Sequence, residues 1–118
     1  MTIRVGLVGT GYAAKVRAEA FGRDERSRVI SVAGRDSGRT AAFAKQHGLD
    51  TVADWQILVD DDAIDLVVVA TVSALHGEVV EAALMAGKHV VVEYPLSLDV
   101  CQAERLLTLA ARRRVGRN

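Results

Sequence analysis

"IRVGLVGTGYAA", residues 3–14, decides the fold. Its first six residues are apolar except for Arg4, a near-continuous run rather than an alternation with polar ones, the pattern of a strand covered on both faces by helices. Directly after it come Gly9, Thr10, Gly11, Tyr12, Ala13 and Ala14, a G-x-G-x-x-A pattern. The first glycine permits a tight turn, the second lets backbone N–H groups approach a pyrophosphate, and the small third residue lets a helix pack on the strand. The pattern is weak in isolation. Its position, after a strand and opening a helix, points to dinucleotide binding. A turn needed only for close packing accounts for one glycine better than for two.

Working outward, similar runs recur as "VISVA" at 29–33, "DLVVVA" at 65–70 and "HVVVE" at 89–93. Helical spacing separates them. Val79, Val80, Ala83 and Leu84 precede Gly87, which suits a left-handed helix cap. Val100, Ala103, Leu106, Leu107 and Ala110 follow Ser97, a candidate N-cap, with Asp99 in the favoured first turn. A short strand at Asp50–Val52 and a helical turn at Trp55–Val59 complete the middle. Strands alternating with helices predict an α/β fold, a doubly wound parallel sheet of Rossmann type, because parallel neighbours need crossover helices. No repeat, linker or low-complexity tract interrupts it.

Composition bounds what such a fold can do. The 118 residues, 50% of them hydrophobic, suffice for one core, so residues 1–118 are expected to form one NAD(P)-binding domain. Fifteen basic and fifteen acidic residues leave no positive excess to argue for nucleic acid or an anionic membrane as partner. The apolar runs fall short of the roughly 18 residues of a membrane span, and the N-terminus does not read as a signal segment. The single Cys101 is expected to be a small buried apolar residue. A cytoplasmic protein with a small-molecule partner is the expectation.

The strand ends carry the candidate site. About twenty residues past a glycine loop, an NAD-binding unit places an acid on the ribose hydroxyls. Here "AGRDSGR" puts Gly34 at that place and Arg35 next, leaving room for a 2′-phosphate paired with a guanidinium. This reads as NADP(H). The alternative, a solvated Arg35 with Asp36 on the ribose, leaves NAD(H) open. Thr71, Val72 and Ser73 follow the 65–70 strand at the crevice where open α/β sheets bind ligands, although Ser73 also suits an N-cap. His76 reads as a surface or cofactor-edge residue, with proton transfer as the sharper alternative. Glu93 and Tyr94 end the last strand before Pro95. No metal is expected: His47, His76, His89 and Cys101 lack ligand spacing, and Asp60, Asp61, Asp62 and Asp65 suit a solvated turn. The cations Arg112, Arg113, Arg114 and Arg117 suit a helix C-terminus.

"IRVGLVGTGYAAKVRAE", "VVVATVSALHGEVVEAALMAGKHVVVEYPLSL" and the Gly34-Arg35 strand end resemble the N-terminal half of the glucose–fructose oxidoreductase/inositol dehydrogenase superfamily, over nearly the whole chain. Most members have Glu-Lys-Pro after the fifth strand, with the lysine near the nicotinamide. Tyr94 stands in the lysine's place here, and Val72-Ser73 stand where the family has Pro-Asn. Glu-Tyr-Pro with G-T-G-Y-A-A resembles the biliverdin reductases within it, particularly the cyanobacterial type. That resemblance implies NADPH-dependent reduction of the central methine bridge of a linear tetrapyrrole, with Tyr94 the candidate catalytic residue. Two alternatives remain: half of a sugar or inositol oxidoreductase, disfavoured by the absent lysine, and a free-standing NADP(H)-binding module without catalysis. The family continues into a further strand and a large substrate domain. The expectation is therefore that this chain lacks the substrate domain, that Val115 begins an uncompleted strand, and that the open sheet edge drives homo-oligomer formation.

Overall fold

The valine-rich runs are continuous because each strand is covered on both sides. In the computed structural model, which describes residues 2–93 and 100–115, the chain runs β1 (Ile3–Val8), α1 (Tyr12–Arg23), β2 (Ser27–Ala33), α2 (Ser37–His47), β3 (Asp50–Val52), α3 (Trp55–Asp60), β4 (Leu66–Val69), α4 (Ser73–Met85), β5 (His89–Val92) and α5 (Val100–Val115). The five strands form one sheet in the order β3-β2-β1-β4-β5, every neighbouring pair parallel. Successive side chains take opposite faces. Val5 and Leu7 of β1 and Val68 of β4 pack with Ala14 and Ala18 of α1 and Phe43 of α2. Val8, Val67 and Val69 pack on the other side with Leu58 of α3, Val79 and Ala83 of α4, and Leu106 of α5.

Small residues set how closely the layers approach. A Cβ at Gly6 would stand 2.7 Å from Leu58 Cδ2, so a glycine in β1 admits α3. Beside it the register slips, Val5 pairing with Val29 but Gly6 with Ser31, which leaves Ile30 as an extra residue in β2. On α4, a Cβ at Gly77 would collide with the side-chain amide of Gln102 on α5. A mid-helix glycine costs about 1 kcal/mol relative to alanine, and here it leaves room for that amide.

Helix ends follow sequence chemistry in three places. Gly87 takes φ 77°, and the N–H groups of Gly87 and Lys88 return to the carbonyls of Leu84 and Ala83, closing α4 as its sequence predicts. Asp36 and Asp54 cap α2 and α3 through their side chains. The last helix departs from expectation. Leu107 is 64% exposed and Leu109 packs on the core instead, Cys101 is exposed rather than buried, and Val115 ends α5 rather than opening a strand. The reason is phase: the buried row is set by Leu106, and Leu107 and Cys101 lie off it. Ser97 and Asp99 fall outside the described residues.

The acidic turn at 60–65 is structural. Asp61 accepts from the Ala63 N–H, and Lys88 Nζ donates to the carbonyls of Asp61 and Ile64 at 2.7 Å each. Asp65 takes the Arg4 backbone N–H and guanidinium, which holds its carboxyl below the usual carboxylate range. Asp24 is lowered to about 2, first by the Arg26 guanidinium and then by the Arg26 N–H. A depressed folded-state value means the stabilisation is complete above the unfolded carboxylate value of about 3.9 and is lost as pH falls through the folded one. We expect the Asp24 carboxyl to titrate at about 2 by NMR, and Arg26→Ala to move that midpoint up toward the unfolded value. A wild-type midpoint at the unfolded value would remove the pair from solution.

Candidate cofactor site

Strand order reverses between β1 and β4, and it is outside the carboxyl ends of the strands at such a switch point that open α/β sheets bind their ligands. Backbone hydrogen bonds hold the strand ends there: Gly9 N–H to the Ala33 carbonyl, Ala70 N–H to the Val8 carbonyl, and Glu93 N–H to the Val69 carbonyl. Gly9 takes φ 120°, and a Cβ on it would drive into the Ala70 carbonyl. This glycine serves the turn and the close approach of β4 together.

Gly11 is different in kind. A Cβ on it would meet nothing within 4 Å, and its φ of −83° is open to any residue. Packing therefore does not account for it. It caps α1 without a side-chain hydrogen bond, and its carbonyl accepts the Lys15 N–H, so the first-turn N–H groups of α1 have no side-chain cap. An uncapped helix start with bare backbone beside open space fits a pyrophosphate. Ala14, third in the pattern, is fully buried against the sheet. Thr10 and Ala13 are partly covered, and Tyr12 is 81% exposed at the mouth of the loop.

At the end of β2, Gly34 is glycine for a reason its sequence does not disclose. A Cβ there would collide with Thr40 Oγ1 and stand 2.9 Å from Thr10 Cγ2, so it draws the glycine loop and the start of α2 together. Arg35 is exposed beside it. Asp36 is engaged locally: its carboxylate accepts the Arg39 N–H at 3.0 Å, and its carbonyl takes both the Thr40 N–H and hydroxyl. Arg39, which sequence reading passed over, is also exposed and lies one turn along α2 from Arg35.

Beyond β4, Thr71 is partly covered and Val72 is 47% exposed. Val72, not Ser73, is the N-cap of α4, and it has no side-chain cap bond; Ser73 is the first helical residue. His76 corrects the expectation of a surface or cofactor-edge residue, since it is 2% exposed. Its Nε2–H donates to the Thr71 carbonyl at 2.9 Å, because a carbonyl only accepts. The imidazole thus braces the turn that meets Gly9 from beneath. Glu93 is partly covered and carries an ion pair with Arg17 of α1, N–O 2.6 Å. Tyr94 lies outside the described residues. Among the described residues no three His, Cys, Asp or Glu side chains form a group able to hold a metal ion, and no helix is long and apolar enough to cross a membrane.

A doubly wound sheet with a bare-backbone glycine loop at its switch point defines a dinucleotide-binding domain. The chain belongs to the oxidoreductase family with an NAD-binding Rossmann fold, which its residues 3–116 match. The biliverdin reductase of Synechocystis sp. PCC 6803, solved with biliverdin and NADP+, superposes with a TM-score of 0.92 at 50% identity, covering 94% of this chain and 35% of that one. A dTDP-3,4-didehydro-2,6-dideoxy-α-D-glucose 3-reductase of Actinomadura kijaniata is 38% identical over 94% of this chain and 34% of its own length. Inositol 2-dehydrogenase 1 of Saccharopolyspora erythraea is 36% identical over 91% of this chain and 33% of its own. The chain thus spans about a third of the length of the relatives it matches.

Proposed function

We propose that the chain is the NADPH-binding part of an oxidoreductase of biliverdin reductase type, acting on the central methine bridge of a linear tetrapyrrole. The 50% identity to the Synechocystis enzyme, over 94% of this chain, carries the reading. In this reading Gly9, Thr10, Gly11, Tyr12 and Ala13 hold the pyrophosphate, and Arg35 pairs with the 2′-phosphate. Asp36 contributes less to a ribose because its carboxylate caps α2. Thr71, Val72 and Ser73 line the crevice wall, and His76 fixes that wall from below rather than meeting the cofactor. In the same reading Glu93 and Tyr94 are assigned to the nicotinamide end of the site, and the nicotinamide supplies a hydride when bound. A phenol of ordinary pKa about 10 is a poor acid at neutral pH, so Tyr94 serves to position substrate.

A second reading, reduction of a nucleotide-linked keto sugar, is favoured by the Actinomadura relative and opposed by Tyr94 in place of the family's lysine. A binding module without catalysis is the third. Association with a second copy belongs to the proposal, because β5 is an edge of the described sheet. The free Cys101 thiol suits a reducing cytoplasm.

Joining this chain to the remaining length of the Synechocystis relative and assaying NADPH oxidation separates the three. We expect bilirubin from biliverdin. Oxidation with a dTDP-keto sugar alone would give the second reading, and tight NADPH binding with neither reaction the third.

A further inference from the structure

Gly34 follows the last residue of β2 and stands beside the glycine loop, where the Gly9 N–H reaches the Ala33 carbonyl. Its φ is not positive, so the backbone conformation there makes no demand for glycine. Space makes it instead. A Cβ at this place would collide with Thr40 Oγ1 and stand 2.9 Å from Thr10 Cγ2. The two neighbours differ in how far they yield. Thr10 is only partly covered, whereas Thr40 is 4% exposed and its hydroxyl donates to the Asp36 carbonyl at 2.7 Å. The Thr40 N–H donates to the same carbonyl at 2.9 Å, so the side chain is bonded back onto its own helical turn, and turning the hydroxyl away breaks a part-buried hydrogen bond. Thr40 is the fixed wall.

We propose that Thr40 is a specificity-determining residue: it closes position 34 to a side chain and so shuts out the carboxylate with which dinucleotide-binding sheets hold the ribose hydroxyls of NAD. The consequence for cofactor choice rests on the proposed cofactor reading, while the closure rests on packing alone. Thr40 acts through Gly34 and needs no contact with the cofactor, which makes it a positioning residue. A carboxylate at position 34 would accept from the ribose hydroxyls of NADH and repel the 2′-phosphate of NADPH. With Thr40 in place that acid has no room. Preference for NADPH then has two supports, the exposed cation of Arg35 and the exclusion of an acid by Thr40.

Thermal unfolding of a double-mutant cycle on Gly34→Ala and Thr40→Ala reads the closure. Gly34→Ala is expected to lower the midpoint by roughly 5–15 °C in the wild-type background, and by less than about half as much where Thr40→Ala is already present. Equal losses in both backgrounds would overturn the closure. Titration with NADPH and NADH reads the specificity, because the ratio of the two affinities is what a purely structural threonine leaves unmoved. Gly34→Asp alone is expected to weaken NADPH about tenfold or more and to gain nothing for NADH. Adding Thr40→Ala is expected to raise NADH affinity about tenfold over that of Gly34→Asp. A Gly34→Asp variant that prefers NADH with Thr40 intact, or a folded double variant without the gain, would overturn the specificity role. A wild type that binds neither dinucleotide would sink the proposed function, and the unfolding cycle would still decide the closure.

Discussion

Gly9→Ala is expected to destabilise the chain by about 3 kcal/mol or more, while Gly11→Ala, two residues on, leaves the fold intact and weakens NADPH binding tenfold to a hundredfold. The two glycines look alike in the motif and differ in what surrounds them. At Gly9 the backbone has φ 120°, a region costing a non-glycine residue about 1–3 kcal/mol. The added methyl would also strike the Ala70 carbonyl and stand 3.0 Å from the Thr71 nitrogen. Those atoms are backbone at the end of a central strand, so relief requires β1 and β4 to part, at a further cost of about 1–3 kcal/mol. In a domain stable by about 5–15 kcal/mol, this lowers the unfolding midpoint by roughly 10 °C or more.

At Gly11 the same methyl meets open space in an ordinary conformation, and the smaller entropy of the unfolded chain favours folding slightly. The space it fills is where a phosphate oxygen would approach the α1 N–H groups. Charge-assisted hydrogen bonds of about 1.5–3 kcal/mol are lost there, which gives the affinity range. Thermal unfolding and cofactor titration of both variants separate the roles. If Gly11→Ala binds NADPH as the wild type does, the pyrophosphate does not lie over this residue.

What could be read from the sequence was local in origin. Burial of a strand on both faces writes itself into consecutive valines, so β1, β4 and β5 appear within a residue or so of their bounds. Gly87 announces a left-handed cap because only its own backbone is involved. The glycine loop is legible for the same reason: its function is a backbone shape. The remainder depends on residues brought together from afar. Gly34 looks like a vacancy left for a phosphate until Thr10 and Thr40 are seen on either side of it. His76 resembles a surface histidine until α4 turns it under the Thr71 carbonyl. Arg17 carries no local mark of its pairing with Glu93, and Gly77 none of Gln102 lying against it. The phase of α5 misled because its apolar residues fit two rows, and packing against α4 and the core cluster it belongs to selects the row containing Leu106 and Leu109.

Arg35→Ala is expected to lower affinity for NADPH roughly ten- to hundredfold while leaving NADH affinity within about twofold of the wild type. The cofactors differ only at the ribose 2′ position, a phosphate against a hydroxyl, so only contacts made there can separate them. Gly34 brings no carboxylate to the end of β2, and the nearest one, Asp36, is bonded to the Arg39 N–H, so little opposes a dianion at this place. Arg35 offers a planar fork that matches phosphate geometry, and Arg39 one turn along α2 supplies a second exposed cation. Removing Arg39 is therefore expected to cost less than removing Arg35, and removing both to bring NADPH down to the level of NADH. The same titrations at rising salt provide a control: the NADPH preference should shrink, because exposed phosphate pairs are screened within a Debye length of about 10 Å at 0.1 M. Equal loss for both cofactors in Arg35→Ala would mean that the guanidinium serves the adenosine or the fold, and would return the ribose to Asp36 and the preference to NADH.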